Sequence, residues 1–535
     1  MSQDRYGSAR FAEFAEVAQA GLLKGTGLYL GEFAGRPIHI DSSASILTLG
    51  GAGAGKLSTI LARNLCLSSE KIAFLDPKGE GCAISLDNQA RFGIPAYAYN
   101  PYRMHDLPSM TINPTGFIRK GAITLTADLK TLFEDLIATS GADSAQFFEQ
   151  SARAAAEMFG LYDVEKHGTL SLPRVYRAIM TMIGNGPDWE ELAMDIAAVA
   201  PLCMVKLKEL IQLQSKGERT FSNVAAELTN AFAWMSDPAM MASLSDAPDI
   251  DIEAFCTDPQ PARLYIIIPA ELLSVNAPFL RLMFSAMMIV KARHPSAPRL
   301  NLIVDEAGQL GPAPFLSRAF SFGRGVGIKS WAVFQDAGQI TRHYGQSGIQ
   351  SFMASAEVRQ VFGVRDADTA ALVAKMCGNK TVHYVDEYRA QEAELAKRRA
   401  RQAFLRAGED AFEAVLDAKH FHESLQLSSQ TGRPLLEISE VLGLGEQEQI
   451  LFVSGRNIPP IRAQRAPYWT QSAMAGQFMP NPYHPPLDQV QIATRWGMRS
   501  HRIIEERVPA LFAHLPQYQD RPFLYVEGFR PNVGR

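Results

Sequence analysis

The chain has 535 residues, too many for one ordinary core, so two or three domains are expected. Its 47% apolar and 20% charged residues exclude a disordered chain. A net charge of −4 excludes a global positive field that would hold nucleic acid over the whole surface, so any DNA contact must be local.

Cys66, Cys82, Cys203, Cys256 and Cys377 are scattered, odd in number and without CxxC spacing. That pattern argues against a disulfide framework or a zinc site and fits a reducing cytosol. No stretch of uncharged apolar residues reaches bilayer length, and the best run, 280–290, is too short. The first residues, MSQDRYGSARF, lack the basic and apolar regions of a signal peptide. The expectation is a soluble chain.

In chain order, residues 28–50 read as short strands and turns. ASILTLGG then enters a glycine-rich loop, LSTILARNLCL continues with helical spacing, and KIAFLDPKG is a buried strand ending in a turn. Strand, loop, helix, strand is the opening of a parallel α/β sheet. From about Asp128 to Met241 long helical patterns take over, which reads as an all-α insertion inside the α/β domain. Strand signals return at ARLYIIIP, RLNLIVDE, KSWAVFQD and VRQVFGV with helices between them, the alternation of a parallel sheet covered on both faces. Residues 387–418 are highly charged and read as an exposed helical insertion. EQILFVSG is a last strand at the sheet edge, and from Tyr468 Pro-rich connections and one helix are expected. The resulting division is 1–122 and 246–470 for a nucleotide-binding domain, 123–245 for the helical insertion and 471–535 for a C-terminal extension.

Gly50-Gly51-Ala52-Gly53-Ala54-Gly55-Lys56 fits the first seven positions of G-x-x-x-x-G-K-[ST]. Glycines let backbone N–H groups turn toward phosphate oxygens, the following helix adds its N-terminal dipole, and Lys56 reaches the β- and γ-phosphates. The next position, usually a magnesium-binding Ser or Thr, is Leu57; Ser58 or Thr59 substitutes only if the helix start shifts by a residue. In LNLIVDEAGQLG an apolar strand delivers Asp305 and Glu306. Asp305 is the expected Mg²⁺ ligand and Glu306 the base that orients and deprotonates the attacking water. Gln335, ending WAVFQ, is expected in the same crevice, where an amide can sense the γ-phosphate. Arg324 in GRGVGIK is a candidate to touch a neighbouring subunit's nucleotide; a solvated loop arginine is the competing reading. His420-Phe421-His422 has no third ligand at metal-site spacing and reads as surface. Lys397-Arg398-Arg399-Ala400-Arg401 lies among glutamates and reads as a solvated helix face.

Beyond single motifs, GSAR (7–10), FLDPKGE (74–80), TINPT (111–115), VDEAGQLG (304–311), GRGVGI…FQDAGQITRHYG (323–345), ADTAALVAKMCGNKTV (367–382) and RPLLEISEVLGLGEQEQILFVSGRNIPPI (433–461) follow one another as in a known family. Together they resemble the VirD4/TraG-type coupling proteins of type IV (conjugative) secretion. The resemblance implies a RecA-like P-loop ATPase with a mostly parallel central sheet and an inserted all-α domain, using ATP and Mg²⁺. It implies a homo-hexameric ring on the cytoplasmic face of the bacterial inner membrane. Such a ring feeds relaxase–DNA complexes or effector proteins to the secretion channel, working with the channel's ATPases and inner-membrane components. The family's N-terminal transmembrane pair is missing here, which reads as a truncated or naturally anchorless member. The alternative reading is a nucleotide-binding recruitment adaptor with little hydrolysis; a small-molecule P-loop kinase is disfavoured by length and motif order.

Overall fold

The computed structural model describes residues 5–139, 143–384, 391, 394–399, 401–402, 416, 419 and 429–532. Most of the charged 387–418 stretch, and all of His420-Phe421-His422, lie outside the described residues. Glu394–Arg399, which are described, are helical.

The strands in chain order are β1 (Leu28–Phe33), β2 (Arg36–Ile40), β3 (Ser45–Gly50), β4 (Lys71–Leu75), β5 (Ala96–Tyr99), β6 (Ile112–Asn113), β7 (Ile250–Asp251), β8 (Arg263–Ile266) and β9 (Leu300–Val304). They continue with β10 (Ile328–Phe334), β11 (Ala356–Phe362), β12 (Asn379–Tyr384), β13 (Ser429–Pro434), β14 (Glu448–Val453), β15 (Ile461–Gln464), β16 (Gln489–Thr494), β17 (Gly497–Glu506) and β18 (Phe523–Val526). Among the described residues, the main sheet has 11 strands in the order β2-β1-β15-β14-β11-β3-β10-β9-β4-β8-β5. From β11 to β5 every pairing is parallel, and from β11 out to β2 every pairing is antiparallel.

The apolar runs explain this layout. In β4, Ala73 and Leu75 point into one core while Ile72 and Phe74 point into the other. β10 divides the same way, with Ala332 and Phe334 on one face and Trp331 and Val333 on the opposite one. Successive side chains alternate across a strand, so an unbroken apolar run demands cover on both faces. The helix Leu273–Arg293 supplies much of that cover on one face. Among the described residues a single helix, Ala270–Arg293, is long and apolar enough to cross a bilayer, and 78% of its apolar window is buried inside the protein.

Helices from Leu125 to Ala242 separate β6 from β7, and those two strands pair in parallel at the neck of the excursion. The first helix, Leu125–Leu136, is tied to the main body: Asp135, fully buried, accepts from Phe315 N at 2.7 Å and from Arg318.

Three regions differ from the sequence reading, one of them β5, which it did not place. β14 does not close the sheet; β15, β1 and β2 extend it further. After Tyr468 the chain forms no α-helix among the described residues but a three-stranded antiparallel sheet, β16-β17-β18. Its middle strand β17 is largely exposed, and the sheet gains its packing from a distant part of the chain: Val490, Ile492 and Val526 bury against Ala62, Cys66 and Ile84. That partner is invisible in local periodicity.

Candidate functional site

β3 ends at Gly50 in the middle of the parallel region, and the chain turns through Gly51–Gly55 into a helix. Gly53 and Gly55 have φ of 70° and 76°, conformations glycine adopts without strain. A Cβ on Gly51 would lie 2.1 Å from Gly363 O, so only glycine allows this close pass between the loop and the end of β11. The first helical turn, Leu57–Leu61, is π-helical and the helix becomes α from Ala62. A π-turn holds one residue more per hydrogen-bonded loop than an α-turn, but the helix already starts at Lys56, and Thr59 N donates to Gly55 O at the α spacing. Leu57 packs against the core under the sheet and borders the cleft. Ser58 also borders the cleft, and its hydroxyl donates to Gly55 O at 3.2 Å. Thr59 is buried, its hydroxyl committed to Gly55 O at 2.7 Å.

β10 lies between β3 and β9. The carboxyl end of β10 therefore stands between the glycine loop and Asp305-Glu306. Lys56 Nζ donates to Glu306 Oε1 at 2.7 Å, and Gln335 Nε2 donates to Glu306 Oε2 at 2.7 Å. Both carboxylate oxygens of Glu306 are thus engaged. Its backbone is left-handed, with φ 55° and ψ 42°, a strained state for a residue with a Cβ and one that clusters at functional sites. Gln335 is itself fixed, its N–H donating to Gln339 Oε1 at 3.0 Å.

Asp305 and Asp76, at the tips of neighbouring strands β9 and β4, both border the cleft. Desolvation pushes Asp305 up to about 6; Lys56 opposes the rise and Glu306 adds to it. Asp76, 2% exposed, is pushed by burial to about 7, while backbone N–H groups of Cys82 and Gly81 hold it back. Two carboxyl groups this poorly compensated, in a cleft with a volume of about 510 Å³, are a donor set that suits a hard divalent cation. The residues fit Mg²⁺: Asp305 could hold it, and the hydroxyl-bearing Ser58 lines the same cleft.

Two features were not singled out as site residues in the sequence. Arg465, 1% exposed, follows β15 and reaches under the glycine loop. Its Nη1 donates to Ala54 O at 2.8 Å and Thr59 Oγ1 at 3.0 Å, and its guanidinium stacks 3.8 Å from the Phe362 ring centroid. Asp76 stood only within the FLDPKGE resemblance. By contrast Arg324, on the turn Gly323–Val326 before β10, is exposed and does not border the cleft. The 7 residues of β10 separate it from Gln335, roughly 20 Å at ~3.3 Å per residue. Within one chain Arg324 is not part of the cleft beside the glycine loop.

Residues 8–486 match the family described as Type IV secretory system Conjugative DNA transfer. The chain belongs to that family. It is 27% identical over 271 residues to conjugal transfer protein TraG of Agrobacterium fabrum strain C58, a match covering 50% of this chain and 36% of that protein. It is 22% identical over 284 residues to the type IV secretion system-coupling protein VirD4 of Bartonella quintana strain Toulouse, covering 52% of this chain and 39% of the relative. Against protein VirD4 of Rhizobium radiobacter the identity is 20% over 510 residues, 89% of this chain and 66% of the other. The matches to the first two relatives thus span little more than a third of those proteins' own lengths.

Among solved structures, plasmid coupling protein TrwB in complex with ADP and Mg²⁺ superposes with a TM-score of 0.62 at 16% identity, covering 87% of this chain and 95% of TrwB. TrwB with a non-hydrolysable ATP analogue gives a TM-score of 0.59 at 17% identity, covering 86% of this chain and 94% of TrwB. The fold of this family member is therefore that of a RecA-like P-loop protein with a helical excursion.

Proposed function

We propose that this chain is a type IV secretion coupling protein that binds and hydrolyses ATP and uses the cycle to hand substrates to the secretion channel. The observation that carries the reading is the hydrogen-bonded chain Lys56–Glu306–Gln335 at the mouth of the glycine loop. Gly50–Gly55 and Lys56 bind the phosphates, with Leu57 and Ser58 beside them. Glu306 takes the proton of the water that attacks the γ-phosphorus, and ADP leaves. Gln335 holds Glu306 and meets the γ-phosphate. Mg²⁺, when bound by Asp305, neutralises phosphate charge.

Arg324 serves the site of an adjacent subunit, which agrees with its exposure and its distance from this chain's own cleft. That role requires a ring, and a homo-hexamer at the cytoplasmic face of the inner membrane is the assembly proposed. The excursion of residues 123–245 recruits relaxase–DNA or protein effectors. DNA is gripped locally, since the net charge of −4 gives no overall attraction.

ATP turnover of the purified chain, measured with and without DNA, tests the proposal. DNA-stimulated hydrolysis that Glu306→Gln abolishes is the expected result. A chain that binds ATP yet shows no turnover beyond that variant would favour the recruitment adaptor, a reading that the unusual Leu57 supports.

A further inference from the structure

The cleft beside the glycine loop is lined by residues of different chemistry. Lys56, Asp305, Glu306 and Gln335 line it together with the glycine loop. Leu57, Trp469 and His484 line it too, and two of these come from the stretch after the last strand of the main sheet.

Trp469 is held in place by its neighbours. The turn Tyr468–Thr470 packs directly on the first turn of the loop helix, Leu57–Leu61. Tyr468, 4% exposed, meets the Trp469 ring edge-on with centroids 5.0 Å apart and is wedged against Phe478 at 4.8 Å. Trp469 itself remains only half-buried. On the same wall Asn481 donates to Glu80 Oε2 at 2.6 Å, and its carbonyl oxygen accepts from His484 N at 2.9 Å. An apolar recess of about 280 Å³ shares Trp469, Asn481 and His484 with the cleft and continues toward Met479 and Val490. A fixed indole, partly open, beside a phosphate-type loop is a surface on which a flat heteroaromatic ring can stack, because every base has a π-face.

We propose that the nucleobase of the bound nucleotide stacks on Trp469, so that the chain's C-terminal segment builds the base-binding half of the cleft. The inference rests on the nucleotide-binding reading above and adds the element that holds the base.

The test compares ATP with inorganic tripolyphosphate, which has the phosphates and no base, by calorimetric titration of the wild type, Trp469→Ala and Trp469→Phe. Trp469→Ala is expected to weaken ATP on the order of 5- to 100-fold, the range for loss of a base–aromatic stack, and to leave tripolyphosphate unchanged. Trp469→Phe keeps a ring and is expected to retain most of the ATP affinity. Unchanged ATP affinity in Trp469→Ala would overturn the proposal, as would equal losses for ATP and tripolyphosphate, which would make Trp469 a support for the loop. If the wild type binds neither compound, the nucleotide reading itself fails, an outcome distinct from the other two.

Discussion

The Lys56 ammonium and the Glu306 carboxylate lie 2.7 Å apart, joining the glycine loop to the residue proposed to activate water. In the proposed function the same lysine neutralises phosphate. Its ammonium donates to one oxygen of Glu306, and Gln335 donates to the other. Binding of a triphosphate would draw Lys56 away and leave Glu306 free to accept a proton. Lys56→Ala is therefore expected to abolish ATP binding in a folded protein, since the ammonium is in a cleft and supports no core. Calorimetric titration checks it; unchanged affinity would remove the loop from consideration.

Glu306→Gln keeps the shape and the contact to Gln335 but has no charge to hold Lys56. Binding of ATP should be preserved or tightened, because Lys56 no longer leaves an ion pair to reach phosphate. Turnover should fall on the order of 10²–10⁴-fold, the usual cost of losing a general base. Comparable turnover in variant and parent would place water activation elsewhere.

Leu57→Ser and Ser58→Ala separate two ways of meeting magnesium. Ser58 presents a hydroxyl at the cleft, whereas Leu57, which also borders it, packs on the core. Ser58→Ala is expected to reduce the gain in ATP affinity that Mg²⁺ confers. Leu57→Ser should leave that gain unchanged and lower the melting temperature through lost packing. A rise in Mg²⁺-dependent affinity in Leu57→Ser would show that the missing hydroxyl is a real deficit.

Asp76 gives a pH dependence with a definite sign. Burial raises its folded-state pKa from 3.8 to about 7, so the folded protein binds more protons than the unfolded chain between those values. Stability from this group is present at low pH and is lost as pH rises through that window. Asp76→Asn should flatten this part of the melting-temperature profile of the nucleotide-free protein between about pH 4 and 7. An unaltered profile would mean that other groups set the slope.

The geometry of the site was legible where it is local. A glycine loop after a strand and an apolar run ending in Asp305-Glu306 carry their geometry in a few adjacent residues, and Gln335 followed from parallel strand order. Residues whose role arises from distant contact were not legible. Arg465 belongs to no motif, and its partner Ala54 is 411 positions away. β5 was missed because AYAY is short and ends a parallel edge. The β16–β18 sheet was missed because its apolar residues make sense only against Cys66 and Ile84.

Arg465 leads to the last prediction. Its fork spans Ala54 O, Thr59 Oγ1 and the carbonyl of Glu446, and its plane lies on Phe362, whose ring also closes on Gly50. Burial lowers its pKa to about 10, so it remains charged near neutrality. The guanidinium thus pins the glycine loop from beneath without reaching nucleotide, which makes it a positioning residue. Arg465→Met keeps bulk but removes all three bonds, and the buried Thr59 hydroxyl left without its donor costs about 1–3 kcal/mol. A loop that is less well held binds ground state and transition state alike less well, so KM for ATP should rise while kcat changes little. Arg465→Lys keeps the charge but loses the planar fork, so it should recover stability only in part and leave KM raised. A fall in melting temperature with KM unchanged in both variants would show that Arg465 supports the sheet edge alone and leaves the loop to set its own shape.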